Sequence, residues 1–181
     1  MKKIRLLAFI AGIVFSCSSL RADNNYTQSS GTVTKANQTY SSATTDLSAV
    51  KVTGGTYNIS NSGISSTAST SSTDNSSFYG LNAVILVYAT SGTAIINSTG
   101  NTVTSSGTGG TGIFAYGTAG ITTSNDKFTH TGGGGHAIYC AGGGTITVTN
   151  DTAVTLGGKL ECNCYRPWRR YHHRHRRYLY C

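Results

Sequence analysis

Thiols and imidazoles crowd the last twenty residues of this 181-residue chain. Cys162, Cys164, His172, His173, His175 and Cys181 are interleaved with Arg166, Arg169, Arg170, Arg174, Arg176 and Arg177, and with Trp168, Tyr171 and Tyr178. Thiolates and neutral imidazoles are ligands for zinc or copper. Guanidinium groups set between aromatic rings suit phosphates and stacked bases. Read as written, the tail is a metal-binding or nucleic-acid-binding segment.

The body offers less. His130 and His136 bracket the Gly132–Gly135 turn, and Asp126 and Asp151 stand at corresponding turn positions. They read either as surface ligands for a cation or sugar or, preferably, as ordinary turn residues, since Asn and Asp tolerate unusual backbone angles. Tyr88, Tyr116 and Tyr139 recur at similar places and could form a strip for stacking carbohydrate. A stack of like side chains between repeats needs no ligand, and that structural reading is preferred. Cys140, the one cysteine of the body, sits in an apolar strand and reads as a buried small hydrophobe rather than a nucleophile. The chain holds no Ser-His-Asp order, H-E-x-x-H, P-loop or C-x-x-C pair. No catalytic, cofactor-binding or metal-binding residue is assigned, and no cofactor is expected.

The elements that position these residues show in the hydrophobic pattern. Gly142-Gly143-Gly144 leads into Thr145-Ile146-Thr147-Val148-Thr149, a strict period-two alternation ended by Asn150-Asp151. That is a half-buried strand between turns. Two weaker copies precede it. Leu86–Ala89, a Gly92 corner, Ala94–Asn97 and Thr102–Thr104 make one. Ile113–Tyr116, a Gly120 corner, Ile121–Thr123 and Lys127–Thr129 make the next. Ala137–Cys140 and Ala153–Thr155 complete the third. Three short strands recurring about every 25 residues indicate a solenoid whose rungs bury their inward residues only by stacking. Upstream, Val50–Thr53 and Gly54–Ser60 carry two further strands. Ser65–Ser77 is expected to be a protruding polar loop. The fold expected is all-β, a right-handed parallel β-helix with about 25 residues per rung and disordered ends.

Charge divides the chain the same way. The formal charge of +8 comes from the ends. Between residues 23 and 158 only Lys35, Lys51 and Lys127 stand against Asp23, Asp46, Asp74, Asp126 and Asp151, which leaves the body at −2. The body is therefore no nucleic-acid surface. Residues 1–22 are expected to be a secretory signal peptide: Lys2, Lys3 and Arg5, an apolar run from Leu6 to Phe15, and Leu20-Arg21-Ala22 before the cut. The apolar run is too short to span a bilayer. Val14-Phe15-Ser16-Cys17 loosely matches a bacterial lipobox, in which Cys17 would carry a lipid anchor. Residues 23–45 read as a polar linker or N-terminal cap, 46–158 as the β-helix repeats, and 159–181 as the basic tail.

The tail has a second reading, and it is the preferred one. Shifted by one nucleotide, the codons of Tyr171, His172 and His173 encode only Ile or Thr, and Trp168 followed by Arg encodes Gly. The shifted peptide from position 165 can be T-D-R-G-G-G-T-I-T-V-T-G-G-T-Y-T. It reproduces the string of Gly142–Thr149 one repeat further along the chain. The tail is thus an out-of-frame continuation of the repeats.

From the Gly corners, T-I-T-V-T and the Asn/Asp turns, residues 86–155 resemble the right-handed parallel β-helix repeat proteins of bacterial surfaces, among them autotransporter-type adhesin passengers and pectate-lyase-like folds. Lyases of that fold need an acidic calcium-binding cluster and a basic catalytic residue, and neither can be carried onto this body. The resemblance implies an adhesive or structural protein, secreted or displayed at the outer membrane, without catalysis. Its expected partners are cell-surface glycans or a host surface, with self-association through an exposed solenoid edge. The first alternative is the N-terminal fragment of a polysaccharide-active β-helix enzyme. The second is the Cys/His tail acting on nucleic acid or metal.

Overall fold

A computed structural model describes residues 23–155. The expected signal peptide, with Cys17, and the tail from 159 onward lie outside the described residues, as do the ends expected to be disordered.

The fold is a parallel β-solenoid of about five turns with one short helix. Corner hydrogen bonds between successive turns give a repeat of about 25 residues. The first turn is β1 (Tyr26–Gln28), β2 (Thr32–Ala36) and β3 (Thr39–Ser42), and the second is β4 (Val50–Val52), β5 (Gly55–Ser60) and β6 (Gly63–Ser66). Helix α1 (Thr73–Tyr79) is inserted before the third turn, β7 (Ile85–Thr99) and β8 (Thr102–Ser105). Then come β9 (Ile113–Ser124) and β10 (Lys127–His130), followed by β11 (Ile138–Ala141), β12 (Thr145–Thr149) and β13 (Thr152–Thr155). Strands β3, β6, β8, β10 and β13 stack into one sheet and the other eight into a second. Every strand pairing is parallel.

The period-two alternation becomes columns of like residues. Tyr40, Ile64, Val103, Phe128 and Ala153 pair in succession up one sheet. Val33, Tyr57, Ile96, Ile121 and Ile146 climb the other. Together with Val50, Ile85, Ile113 and Ile138 they form one continuous core. At roughly 25 cal/mol per Å² of apolar surface removed from water, stacking rather than any single turn holds the fold. The adjoining column runs Lys35, Ile59, Ser98, Thr123, Val148. Its lowest member is an exposed lysine at a register position that faces the interior in higher turns.

One corner repeats with little change. Asn37, Asn61, Gly100, Asn125 and Asn150 all adopt left-handed backbone angles, φ between 49° and 66°. Asn and Gly are the residues that tolerate this conformation. The next residue in each turn reaches down. Ser62 accepts the backbone N–H of Gln38, Asn101 that of Ser62, Asp126 that of Asn101 and Asp151 that of Asp126. Buried donors at the bend are thereby satisfied by side chains from the turn above.

Three expectations are corrected. Residues 26–42, expected as linker or irregular cap, form a complete first turn, with Tyr26 stacked on Tyr57 at 4.7 Å. The irregular position of the fourth turn is Gly117 (φ 72°), opposite Ala89 where the β7–β9 register shifts, while Gly120 lies within β9 opposite Ile95. The expected polar loop Ser65–Ser77 is a connection only over 67–72, with the end of β6 before it and the start of α1 after it. Ser72 caps that helix on Asn75 N–H, Asp74 lies in its first turn, and Gly80 ends it in the left-handed conformation.

Candidate functional site

Aromatic side chains gather outside the solenoid, on the face where α1 folds back. In β7 the residues Ile85, Val87 and Ala89 point inward, so Leu86 and Tyr88 point outward. Leu86 and Phe114 form a second apolar cluster with Ala83, and Tyr88, Tyr116 and Tyr139 pack against it. Gly80 makes this approach feasible, since a Cβ there would stand 2.7 Å from both Leu86 and Phe114. Its φ of 71° also strains any other residue.

Tyr88 and Tyr116 pair in register and their rings stack at 4.7 Å, 5° from parallel. Tyr139 does not continue that column. It pairs with Phe114, whose ring lies 5.4 Å away, while Ala141 sits over Tyr116. The outer face therefore carries two columns: Leu86–Phe114–Tyr139 beneath the helix and Tyr88–Tyr116–Ala141 beside it. Tyr79, at the end of α1, lies 5.5 Å from Tyr116. Phe78 and Tyr79 are 62% and 49% exposed, the exposed large hydrophobic residues of the described chain. Sequence reasoning missed both. The available signal was the Phe78-Tyr79 pair standing alone in a polar tract, between a Ser72 cap and Gly80.

The titratable candidates take other places. His136 stacks on Tyr139 at 4.5 Å. His130 is fully buried and faces the interior from β10, above Ser105 and Ser66. Neither of its ring nitrogens has a hydrogen-bond partner, so it is neither a surface ligand nor a turn residue. Burial holds its pKa below the ordinary imidazole value. Asp126 and Asp151 are buried corner acceptors, not surface ligands. Burial pushes the Asp126 carboxyl up to about 6 and raises Asp151 as well. The left-handed angle belongs to the preceding Asn in each case, so these are not the unusual-angle residues themselves. Cys140 is disulfide-bonded, which corrects its reading as a packed thiol; the chain's other four cysteines lie outside the described residues.

Among the described residues no group of three or more His, Cys, Asp or Glu side chains is placed to hold a metal ion. Within the same limits, no helix is long and apolar enough to cross a membrane. Searches of protein-family models, curated proteins and solved structures give no match to this chain. The aromatic face is the arrangement with the clearest chemical use. Flat rings on a hydroxyl- and amide-rich sheet, with exposed Lys51 next to Leu86 in the same outward column, can stack on the C–H face of a sugar while neighbouring groups hydrogen-bond its hydroxyls.

Proposed function

We propose that this protein is an exported or surface-displayed β-solenoid of adhesive or structural type, without catalysis in this chain, and that the ridge of Phe78, Tyr79, Tyr88 and Tyr116 contacts glycans. The observation that carries the reading is the exposure of Phe78 and Tyr79 on a helix anchored against the outer face of the sheet. Large apolar side chains exposed together on an otherwise polar surface mark contact sites. The low-charge surface favours a neutral partner over a phosphate-rich one. The expected N-terminal export signal supports placement outside the cell.

The test is binding of the purified protein to a panel of immobilised neutral and acidic glycans, with Phe78→Ala and Tyr79→Ala as variants. Both side chains are largely exposed, so the variants should keep the parent melting temperature within about 2 °C. Retention on at least one glycan, weakened tenfold or more in either variant, is the expected result. Equal retention of parent and variants would sink the ridge as the contact surface. Cleavage of a bound polysaccharide would instead favour the reading as part of a polysaccharide-active enzyme.

A further inference from the structure

The upper face of the fifth turn is built to receive another turn. Among the described residues β11 and β12 pair only with β9, and β13 pairs only with β10. Ile146 and Val148 head interior columns yet remain half-buried, whereas Ile121 and Thr123 directly beneath them are buried. At the corner, each turn donates a backbone N–H to a side chain of the next, and the described ladder stops at Asp151. A further turn stacked here would need what the turns below show: a glycine corner, alternating Thr and β-branched residues, a left-handed Asn or Gly, then a polar side chain that reaches down.

We infer that this face is the seat of a sixth turn, and that the codons of residues 161–180, read one nucleotide later, encode it. The codon limits match the structural slots position by position. The shifted codon at 168 must be Gly, and those at 169 and 170 can be Gly. This triplet lies one repeat beyond Gly142-Gly143-Gly144, of which Gly142 (φ 60°) and Gly143 (φ 100°) occupy left-handed angles. Positions 171 to 173 are confined to Ile or Thr, as required by Thr145-Ile146-Thr147. Position 174 can be Val and 175 must be Ile or Thr, matching Val148 and Thr149. Position 176 can be Gly, which fills the left-handed corner as Gly100 does in the third turn. Position 177 can be Asp, the residue found one repeat earlier at Asp151. Further back, with one extra position in the connection to the corner, shifted positions 162 and 163 are confined to Ala or Val and to Ile or Thr, as Ala137-Ile138 requires. The glycine string alone could be coincidence. Agreement at the corner, the strand and the polar ladder together ties the shifted peptide to this face.

In the shifted frame Cys162 and Cys164 both become Val or Ala, so the two frames differ in cysteine content. The two frames are therefore distinguishable. The experiment begins by reading the coding DNA across residues 159–181. It then compares two full-length proteins, the chain as written and a chain with the frame shifted after Lys159, by hydrogen exchange of the amides of β11 to β13. Codons giving Gly at 169 and 170, Val at 174 and a polar corner residue at 177, with protection tenfold or more higher in the shifted chain, are the expected result. Codons incompatible with those slots would overturn the inference, whatever the folding of the shifted chain. So would equal protection in the two proteins, or protection in the chain as written that rises with its concentration, which would make a second copy the occupant. Protection in the chain as written that collapses on reduction of the Cys140 disulfide would also overturn it.

Discussion

The carboxylate of Asp151 accepts the backbone N–H of Asp126 at 2.7 Å, one turn below, and Asp126 does the same for Asn101 at 2.6 Å. Two buried acids thus stand one above the other on a stair otherwise built from Ser and Asn. Asn101 performs the same task with an amide: its Oδ1 accepts from Ser62 N–H and its Nδ2 donates to Ser98. Asp126→Asn should therefore fold at pH 7 with stability equal to or above the parent. Asp126→Ala leaves the Asn101 N–H buried without an acceptor and should cost about 1–3 kcal/mol. Urea unfolding of the two variants against the parent checks both.

The same residue sets a pH dependence. Burial raises the Asp126 carboxyl from its ordinary value to about 6, so between about 4 and 6 the folded state binds the proton more readily than the unfolded chain. Stability from this group is greatest below the ordinary carboxyl value and declines as pH rises toward about 6. Asp151 acts in the same sense. Replacing Asp126 by Asn should weaken this decline and leave the part due to Asp151, and melting temperatures from pH 4 to 7 measure it.

His130 pulls the other way. Burial depresses its pKa, so the folded state keeps it neutral while the unfolded chain takes up a proton below about 6.5. Its contribution is present above that pH and is lost as pH falls toward its folded value. His130→Leu removes an imidazole without hydrogen-bond partners and should steepen the fall of stability with rising pH that the acids impose. Asp126→Asn should do the reverse. Unchanged pH slopes in both variants would contradict the buried placement of these groups.

Gly80 fastens α1 to the sheet. Gly80→Ala meets both Leu86 and Phe114 and should free the helix at a cost of roughly 1–3 kcal/mol. Faster hydrogen exchange confined to Thr73–Tyr79, with the solenoid strands unchanged, is the expected signature.

In the first turns the Tyr40 and Tyr57 hydroxyls meet at 3.0 Å in the core. Tyr57→Phe leaves Tyr40 with a buried hydroxyl lacking that partner and should cost about 1–2 kcal/mol. The double change Tyr40→Phe, Tyr57→Phe should recover part of that loss. Thermal unfolding of the three proteins gives the coupling.

Much of this architecture is legible in Thr145–Asn150 and its two copies, because a stacked rung writes its inward residues at period two and its corners as Gly or Asn. The first turn hid because its inward aromatic positions, Tyr26 and Tyr40, are spread through a run of Ser, Thr and Asn. Turn length also varies: the step from Ile85 to its partner Ile113 is longer than the step from Ile113 to Ile138. Likeness of side chains aligned Tyr139 with Tyr116, although the regular step of the repeat leads from Phe114 to Tyr139. The helix was missed because its short apolar face touches only the outside of the sheet. The inward direction of His130 was equally hidden, since a polar residue at an interior register breaks the pattern used to find such registers.

Lys35 gives the molecule a direction. A rung added beneath the first turn would press the lysine between itself and Ile59, removing its ammonium group from water at a cost far above what one hydrophobic neighbour returns. The two faces of the described stack thus differ in kind, with a charged side chain at Lys35 on one and half-buried aliphatic side chains at Ile146 and Val148 on the other.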